Sequence, residues 1–416
     1  MYKKINKCRI SNDKNLNIVF KPEKITLTGE FPSKQFKPTN KMPLEVAFSK
    51  KSGLLQLNHN YIEKKLFGDN YGYRSGLNKF MVYHLENKSK QLKNKLHFKK
   101  NDYILDIGSN DGTFLNFFPN KTLRFGVDPT SKKFKKYYNP KIKRISKLFN
   151  NNIFGSKFKK KFKLITALAM FYDLRDPISF CKNIDYLLDD NGIFHIEICY
   201  LPDIIKNFSF DTFCQEHLAY YSLHSFLYML QQTNFKISDV GRNNINGGSI
   251  WLNLIKKSNN FVKIKKNKVN NLIKLEKKEK ILSVKKYKIF FKEVNKNIRN
   301  IKKNIIKIKN NNKTIFGFGA STKGNAILQF CDLNYRHIDC ILDVNKDKFN
   351  KYTPGTNIII KNELILKEKK PDYIFLLVWH FKNSIKLKLK KYVYMGGKLL
   401  SPFPKIKIIS KKNFNY

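Results

Sequence analysis

The run Tyr103-Ile104-Leu105-Asp106-Ile107-Gly108-Ser109-Asn110-Asp111-Gly112-Thr113 restricts what this chain can fold into more than any other stretch. Its first five residues are apolar or aromatic around one acid, as in a strand buried within a sheet. Two glycines then allow a tight turn, and Thr113 to Phe118 reads as the start of a helix. A strand feeding a glycine turn and a helix opens a parallel β-α-β unit, whose ligands bind beyond the carboxyl ends of the strands. Leu123 to Val127 follows as a second strand, Lys163 to Ala169 as a third and Gly192 to Ile198 as a fourth. Strands alternating with helices predict an α/β fold with a parallel sheet and crossover helices.

The flanks divide the chain further. Residues 1–70 are Pro-broken and Lys-rich, with strand-like pieces such as Leu54-Leu55-Gln56-Leu57, and read as a small N-terminal domain. From about Ser75 to Leu96, Met81, Leu85 and Leu92 fall on one helix face. Residues 71–258 form the main α/β domain. In 259–312, Val294, Ile298, Ile301 and Ile305 repeat at helical spacing, which predicts one long connecting helix. Residues 313–416 start with a strand, Thr314 to Phe318, that enters a second glycine turn. With Cys340 to Leu342 and Tyr373 to Val378 they predict a smaller, Rossmann-like α/β domain.

Charge invites a nucleic-acid reading, since 82 Lys and Arg against 31 Asp and Glu leave a net charge of +51. The lysines, however, are scattered through nearly every segment, as expected of ordinary solvated faces rather than of a local footprint. Six cysteines without a CxxC pair fit free thiols in a reducing compartment. The N-terminus lacks the apolar core of a signal peptide, and no run approaches the roughly 18 apolar residues of a membrane span. A cytoplasmic protein is expected.

The glycine turn after Asp106 is not a GxGxxG, so it is not built to cradle a pyrophosphate. Asp106 and Asp111 suit a cationic sulfonium ligand that also carries an amino group. Asp128, about twenty residues on in Phe125-Gly126-Val127-Asp128-Pro129, ends the next strand where an acid accepts hydrogen bonds from ribose hydroxyls. Asp106, Gly108, Asn110, Asp111, Gly112, Asp128 and Pro129 are therefore the expected cofactor contacts.

With these residues in place, the chain resembles the sugar C-methyltransferases that modify nucleotide-linked deoxysugars. The resemblance runs through Tyr71-Gly72-Tyr73-Arg74-Ser75-Gly76, the Leu105-to-Thr113 run, and Phe210-Asp211-Thr212-Phe213-Cys214-Gln215-Glu216-His217. It continues in Asn246-Gly247-Gly248-Ser249 and Gly317-Phe318-Gly319-Ala320-Ser321-Thr322-Lys323-Gly324. It implies a class I S-adenosylmethionine (SAM) domain, a C-terminal Rossmann-like domain that helps hold the nucleotide, and an N-terminal zinc-binding domain. The family's zinc positions here read Cys8, Ser11, Ser49 and Ser52, and one thiol with three hydroxyls cannot make a structural zinc site. No zinc is expected.

C-methylation next to a keto group needs a base, a group that stabilises the enolate, and a methyl donor held in line. By resemblance, His217 is the base, titrating near neutrality, with Glu216 an assisting carboxylate or a sugar ligand and Tyr73 a polar contact near the reacting centre. Tyr221, Asn246, Gly247, Gly248, Lys323, Trp379 and His380 are the substrate-side candidates, Lys323 standing near a helix start where a phosphate binds favourably. Two positions depart from the family: Met170, which is also assigned to the cofactor pocket, stands where relatives carry a further His. Cys214 stands where they carry a Tyr.

Two other functions compete with a small-molecule nucleotide-sugar substrate. A nucleic-acid methyltransferase would follow from the charge, yet Asp128-Pro129-Thr130 and Asp176-Pro177-Ile178 do not match the loop expected for base amines, and no Pro-Cys occurs for cytosine chemistry. A non-catalytic SAM- or nucleotide-binding relative would follow from Met170 and Cys214.

Overall fold

The apolar run that opens the glycine motif forms the strand Tyr103–Ile107 (β1), buried from Ile104 onward. The computed structural model describes residues 2–68 and 71–414. β1 lies near the middle of a seven-stranded sheet with Leu123–Val127 (β2), Ile142–Ile145 (β3), Phe162–Leu168 (β4) and Leu188–Cys199 (β5). These five strands are parallel in the order β3-β2-β1-β4-β5. Phe235–Asn243 (β6) and Ser249–Lys256 (β7) form a hairpin at the edge, and β7 is inserted antiparallel between β5 and β6. The strand order 3-2-1-4-5-7-6 with a reversed seventh strand is the class I SAM-methyltransferase arrangement. Its order reverses between β1 and β4, where such sheets bind their ligands.

Helix Lys79–Leu96 (α1) covers one face of this sheet through buried Met81, Leu85 and Leu92. Its N-cap is Asn78, whose side chain accepts from Phe80 N.

The N-terminal segment pairs Leu16–Phe20, Val46–Ser49 and Leu55–Leu57 into an antiparallel sheet, and Ala219–Tyr220 adds the fourth strand to it. That last strand comes from the region expected to belong wholly to the SAM domain, so the two are joined by a shared sheet. The same segment reaches the C-terminal region: Gln329 accepts from Thr26 N at 2.8 Å, and Asn325 Nδ2 donates to Thr28 O at 2.7 Å.

The expected single connecting helix is two helices, Lys266–Lys278 (α2) and Val284–Asn310 (α3). Lys280 takes a left-handed φ of 51°, and the Ser283 side chain caps α3 by accepting from Lys286 N. A polar cap residue and a left-handed turn break the run where the apolar periodicity alone does not. Val294, Ile301 and Ile305 are buried as the spacing predicts, and Ile298 is partly so. α2 is tied to the SAM domain instead of bridging domains, because Glu276 accepts from Tyr200 Oη at 2.7 Å and from Leu223 N at 2.6 Å.

The C-terminal sheet holds Ile315–Phe318 (β8), Cys340–Asp343 (β9), Ile360–Asn362 (β10), Tyr373–Leu376 (β11), Lys398–Ser401 (β12) and Lys407–Ile409 (β13). Its order is β10-β9-β8-β11-β12-β13, parallel except for β13. The second glycine turn leads from β8 into Thr322–Phe330 (α4). Among the described residues no helix is long and apolar enough to cross a membrane.

Candidate cofactor and active site

The first glycine turn is shaped by backbone geometry that side chains resist. Gly108 has φ +75°, and a Cβ there would lie 2.9 Å from Met170 Cγ. Asp128, at the tip of β2, fixes the turn: its Oδ2 accepts from Asn110 N at 2.9 Å, and its Oδ1 accepts from Thr130 N and Oγ1 at 2.6 Å each. Asn110 in turn holds the incoming chain, accepting from Ser75 N at 2.9 Å and donating to Tyr73 O at 3.2 Å. Around this turn lies a cavity of about 430 Å³ whose wall includes Asp106, Gly108, Asn110, Asp128, Pro129 and Met170.

Asp111 and Gly112 stand elsewhere. Asp111 Oδ2 accepts from Gly76 N at 3.0 Å, and Oδ1 accepts from Thr113 Oγ1 at 2.6 Å. Asp111 clamps the Arg74–Gly76 segment and the helix start and does not line the cavity, which corrects the expectation that it faces the sulfonium. Gly112, with φ +76°, packs against the Tyr138 ring and is needed for the turn.

The cavity is electrostatically prepared for a cation. Burial raises Asp106 to about 7, although Thr166 Oγ1 donates to it at 2.6 Å. Burial also raises Asp128. No protein cation pairs with Asp106 among the described residues, so its charge is left for a ligand to stabilise. The sulfonium and amino groups of SAM fit that need, with Gly108 on the same wall and Asp128 at the neighbouring strand tip.

Tyr73 lies on the cavity wall and is 42% exposed. Glu216 and His217 do not line it. Glu216 faces away from its neighbour, accepting from Thr28 Oγ1 at 3.1 Å, and therefore does not orient His217. The His217 Nδ1 donates to Thr212 O at 2.9 Å, and the ring packs on Tyr172 with centroids 4.3 Å apart. Burial and then the Lys323 charge hold His217 down to about 3, so it does not titrate near neutrality. Its bond to Thr212 O leaves Nε2 with the lone pair.

Tyr221 is a core residue. It is fully buried between Phe171 and Phe226, and its hydroxyl has no hydrogen-bond partner. Asn246 and Ser249 line the cavity, whereas Gly247 and Gly248 lie under Trp379 and Asp203, where a Cβ would come within 2.8 Å and 2.4 Å. Lys323 is buried and spends one of its three N–H donors on Asn246 O at 2.9 Å. Trp379 Nε1 donates to Asp211 Oδ2 at 2.8 Å, and His380 packs beside it with Nδ1 unpartnered. Lys323 and Trp379 thus brace the Asn246–Gly248 loop.

Three of the four family zinc positions, Cys8, Ser49 and Ser52, come together without a metal-ligand set. Cys8 Sγ lies 3.2 Å from Ser52 Oγ, Ser52 N donates to Ser49 Oγ at 3.4 Å, and Ser11 accepts from Asp13 N. Among the described residues no three His, Cys, Asp or Glu side chains cluster to hold a metal.

Several wall residues carry no motif. Tyr71, one residue from the expected Tyr73 by a glycine, lines the cavity, and burial with the nearby Asp173 raises it well above the usual tyrosine range. Asp173 also lines the cavity; burial and then Glu216 raise its carboxyl far above the usual range, and its Oδ1 is buried without a partner. His84 and Glu197 complete the far wall. Asp173 stands three residues after Met170, and that proximity was a usable signal; nothing in the sequence joins His84 to Glu197.

Two family models match this chain in succession. Residues 81–240 match a methyltransferase domain model, and residues 244–404 match the C-methyltransferase C-terminal domain. The C-methyltransferase NovU of Streptomyces niveus is 25% identical over 378 residues, covering 89% of this chain and 88% of that protein. Among solved structures, the plantazolicin methyltransferase BpumL bound to SAH is 15% identical with a TM-score of 0.34, over 43% of this chain and 85% of that one. A SAM-dependent methyltransferase of Leishmania major is 11% identical with a TM-score of 0.33, over 43% and 77% respectively.

Proposed function

We propose that this SAM-dependent methyltransferase transfers its methyl group to a carbon beside the keto group of a nucleotide-linked deoxysugar. The observation that carries the reading is the pair of buried carboxyls, Asp106 and Asp128, at neighbouring strand tips around a glycine turn. The resemblance to a C-methyltransferase along most of the chain supports carbon as the acceptor. In this reading residues 71–258 bind SAM, residues 313–416 help hold the nucleotide, and residues 1–70 wall the site without zinc.

Bound SAM supplies an electrophilic methyl group. The protein's own part is to hold it: Asp106 meets its cationic end, Asp128 its ribose, and Met170 packs over Gly108 beside it. Asp173 is the enolate-stabilising group. A carboxyl kept neutral by burial donates a hydrogen bond to the carbonyl oxygen as negative charge gathers there. Tyr71 and Tyr73 on the same wall position the sugar. The six free cysteines, all buried, support a reducing compartment and hence the cytoplasm.

Incubation with SAM and a panel of nucleotide-linked keto-deoxysugars, read by mass, tests this. A gain of one methyl on a sugar is expected; methyl transfer confined to RNA or DNA would replace the reading. Elemental analysis checks the N-terminal segment, where stoichiometric zinc would contradict a site of one thiol and three hydroxyls.

A further inference from the structure

Ahead of α1 the chain borders the cavity as Tyr71-Gly72-Tyr73, outside any helix or strand. Three successive backbone carbonyls there need donors that secondary structure does not supply. Each takes one from a different element. Lys133 Nζ, after β2, donates to Tyr71 O at 3.2 Å, and Asn110 Nδ2, in the first glycine turn, donates to Tyr73 O at 3.2 Å. Between them Asn345 Nδ2, after β9, donates to Gly72 O at 3.1 Å. Of the three donors, Asn345 alone comes from the C-terminal domain.

Tyr71 and Tyr73 line the cavity, whereas a Cβ on Gly72 would lie 2.7 Å from Phe31 Cε2 of the N-terminal segment and 2.9 Å from Lys348 Cε. Glycine is what lets the backbone come close enough for Asn345 to reach it. Asn345 is itself fixed. It is buried, its N donates to Asp343 Oδ1 at 2.7 Å, and its Oδ1 accepts from Asp347 N at 3.0 Å. The side chain thus does two separable things: its oxygen closes a local turn, and its amide N–H pins the tyrosine segment. Farther along, Asn110 and Asp111 accept from Ser75 N and Gly76 N, so the other end of the segment is held by the cofactor turn.

We propose that Asn345 is a positioning residue of the cofactor site: by holding Gly72 O, the C-terminal domain sets Tyr71 and Tyr73 in the cavity wall before SAM arrives. The inference rests on the assignment of the cavity to SAM and not on the identity of the methyl acceptor. Its physical content is preorganisation. A wall segment that is free to move must be ordered when the ligand binds, and that cost is subtracted from the affinity. Without Asn345, a buried carbonyl is also left without a donor.

Two variants separate the two roles of Asn345. Asn345→Ser keeps a hydroxyl that accepts from Asp347 N and is too short to reach Gly72 O, whereas Asn345→Ala loses both bonds. Calorimetry on the full chain should show SAM and S-adenosylhomocysteine binding about tenfold more weakly in both variants. In cofactor-free Asn345→Ser, hydrogen–deuterium exchange of the Tyr73–Gly76 amides should quicken by about tenfold. Peptides from β1 and α1 should exchange as in wild type, which also shows that the variant folds. Wild-type affinity in both variants overturns the proposal. Weak binding in Asn345→Ala that Asn345→Ser restores makes the residue a turn cap and also overturns it. So does weak binding accompanied by faster exchange throughout the SAM domain, which is general destabilisation. Absence of SAM affinity in wild type overturns the cofactor assignment together with this inference. The measurements use no methyl acceptor, so failure of the keto-sugar reading is registered separately.

Discussion

Two parallel sheets in this chain each end a central strand in a glycine turn that starts a helix, and they meet opposite fates. The turn after β1 opens on a cavity of about 430 Å³. The turn after β8 is closed by protein: Lys323 crosses to Asn246 O, Ala320 N donates to Asp343 Oδ2 at 2.8 Å, and Lys348 Nζ donates to Ala320 O at 2.6 Å. In the first, Asp106 is buried without a protein cation. In the second, Asp343 has Lys348 3.9 Å away. A glycine turn at a switch point therefore creates the opportunity for a ligand site. Whether polar groups are left unsatisfied by the protein decides if the opportunity is used.

The largest effect that sharpens this contrast is at Asp128. Asp128→Ala removes the acceptor for Asn110 N, Thr130 N and Thr130 Oγ1, each bond to a charged group being worth about 1.5–3 kcal/mol. Calorimetry should show SAM affinity falling by about 100-fold or more; unchanged affinity would mean the first turn is not the cofactor turn.

Next is pH. Asp106 is raised from 3.8 to about 7, so it is neutral below that pH and charged above it. A cationic ligand prefers the charged form, so SAM affinity should rise by about tenfold between pH 6 and 8 and level off, and Asp106→Asn should flatten the curve. Stability of the cofactor-free protein runs the other way. The folded state keeps a proton that the unfolded state releases between the two pKa values, so stability falls as pH rises through that window. A flat binding profile in the wild type would break the comparison.

A smaller effect is expected in the second turn. Lys323→Met removes one buried bond to Asn246 O, so thermal unfolding should move down by an amount equivalent to about 1–3 kcal/mol, with SAM affinity within about twofold. A large loss of SAM affinity would show that the two turns act as one site. The smallest effect is at Tyr221→Phe, which deletes a buried hydroxyl without a partner. Stability should hold or rise by up to about 1 kcal/mol, with kcat/KM unchanged; a lower kcat/KM would return Tyr221 to the substrate.

The fold was legible where local pattern and tertiary environment agree. β1 and β2 were read to the residue, because an apolar run between turn residues has few other uses. The connecting segment was read as one helix because Lys and Asn hide the stop signals; the Ser283 cap and the left-handed Lys280 were missed amid a uniform composition. Within the site, acids next to glycines were readable because backbone geometry links them within a few residues. Asp111 misled because an acid that clamps a backbone amide and one that awaits a cation look the same in sequence. The setting of His217 was unreadable for a related reason: its burial beside Lys323 joins segments about a hundred residues apart.

By itself the sequence determined the alternation of strands and helices, the two glycine turns and the acids at the tips of β1 and β2, since each depends on residues within a turn or two of one another. Only the tertiary structure decided which turn stays open, that Glu216 serves Thr28 instead of His217, and that His84 and Glu197 share one wall. The reason is burial. Desolvation and long-range pairing set what a charged side chain is free to do, and both arise only when distant segments pack.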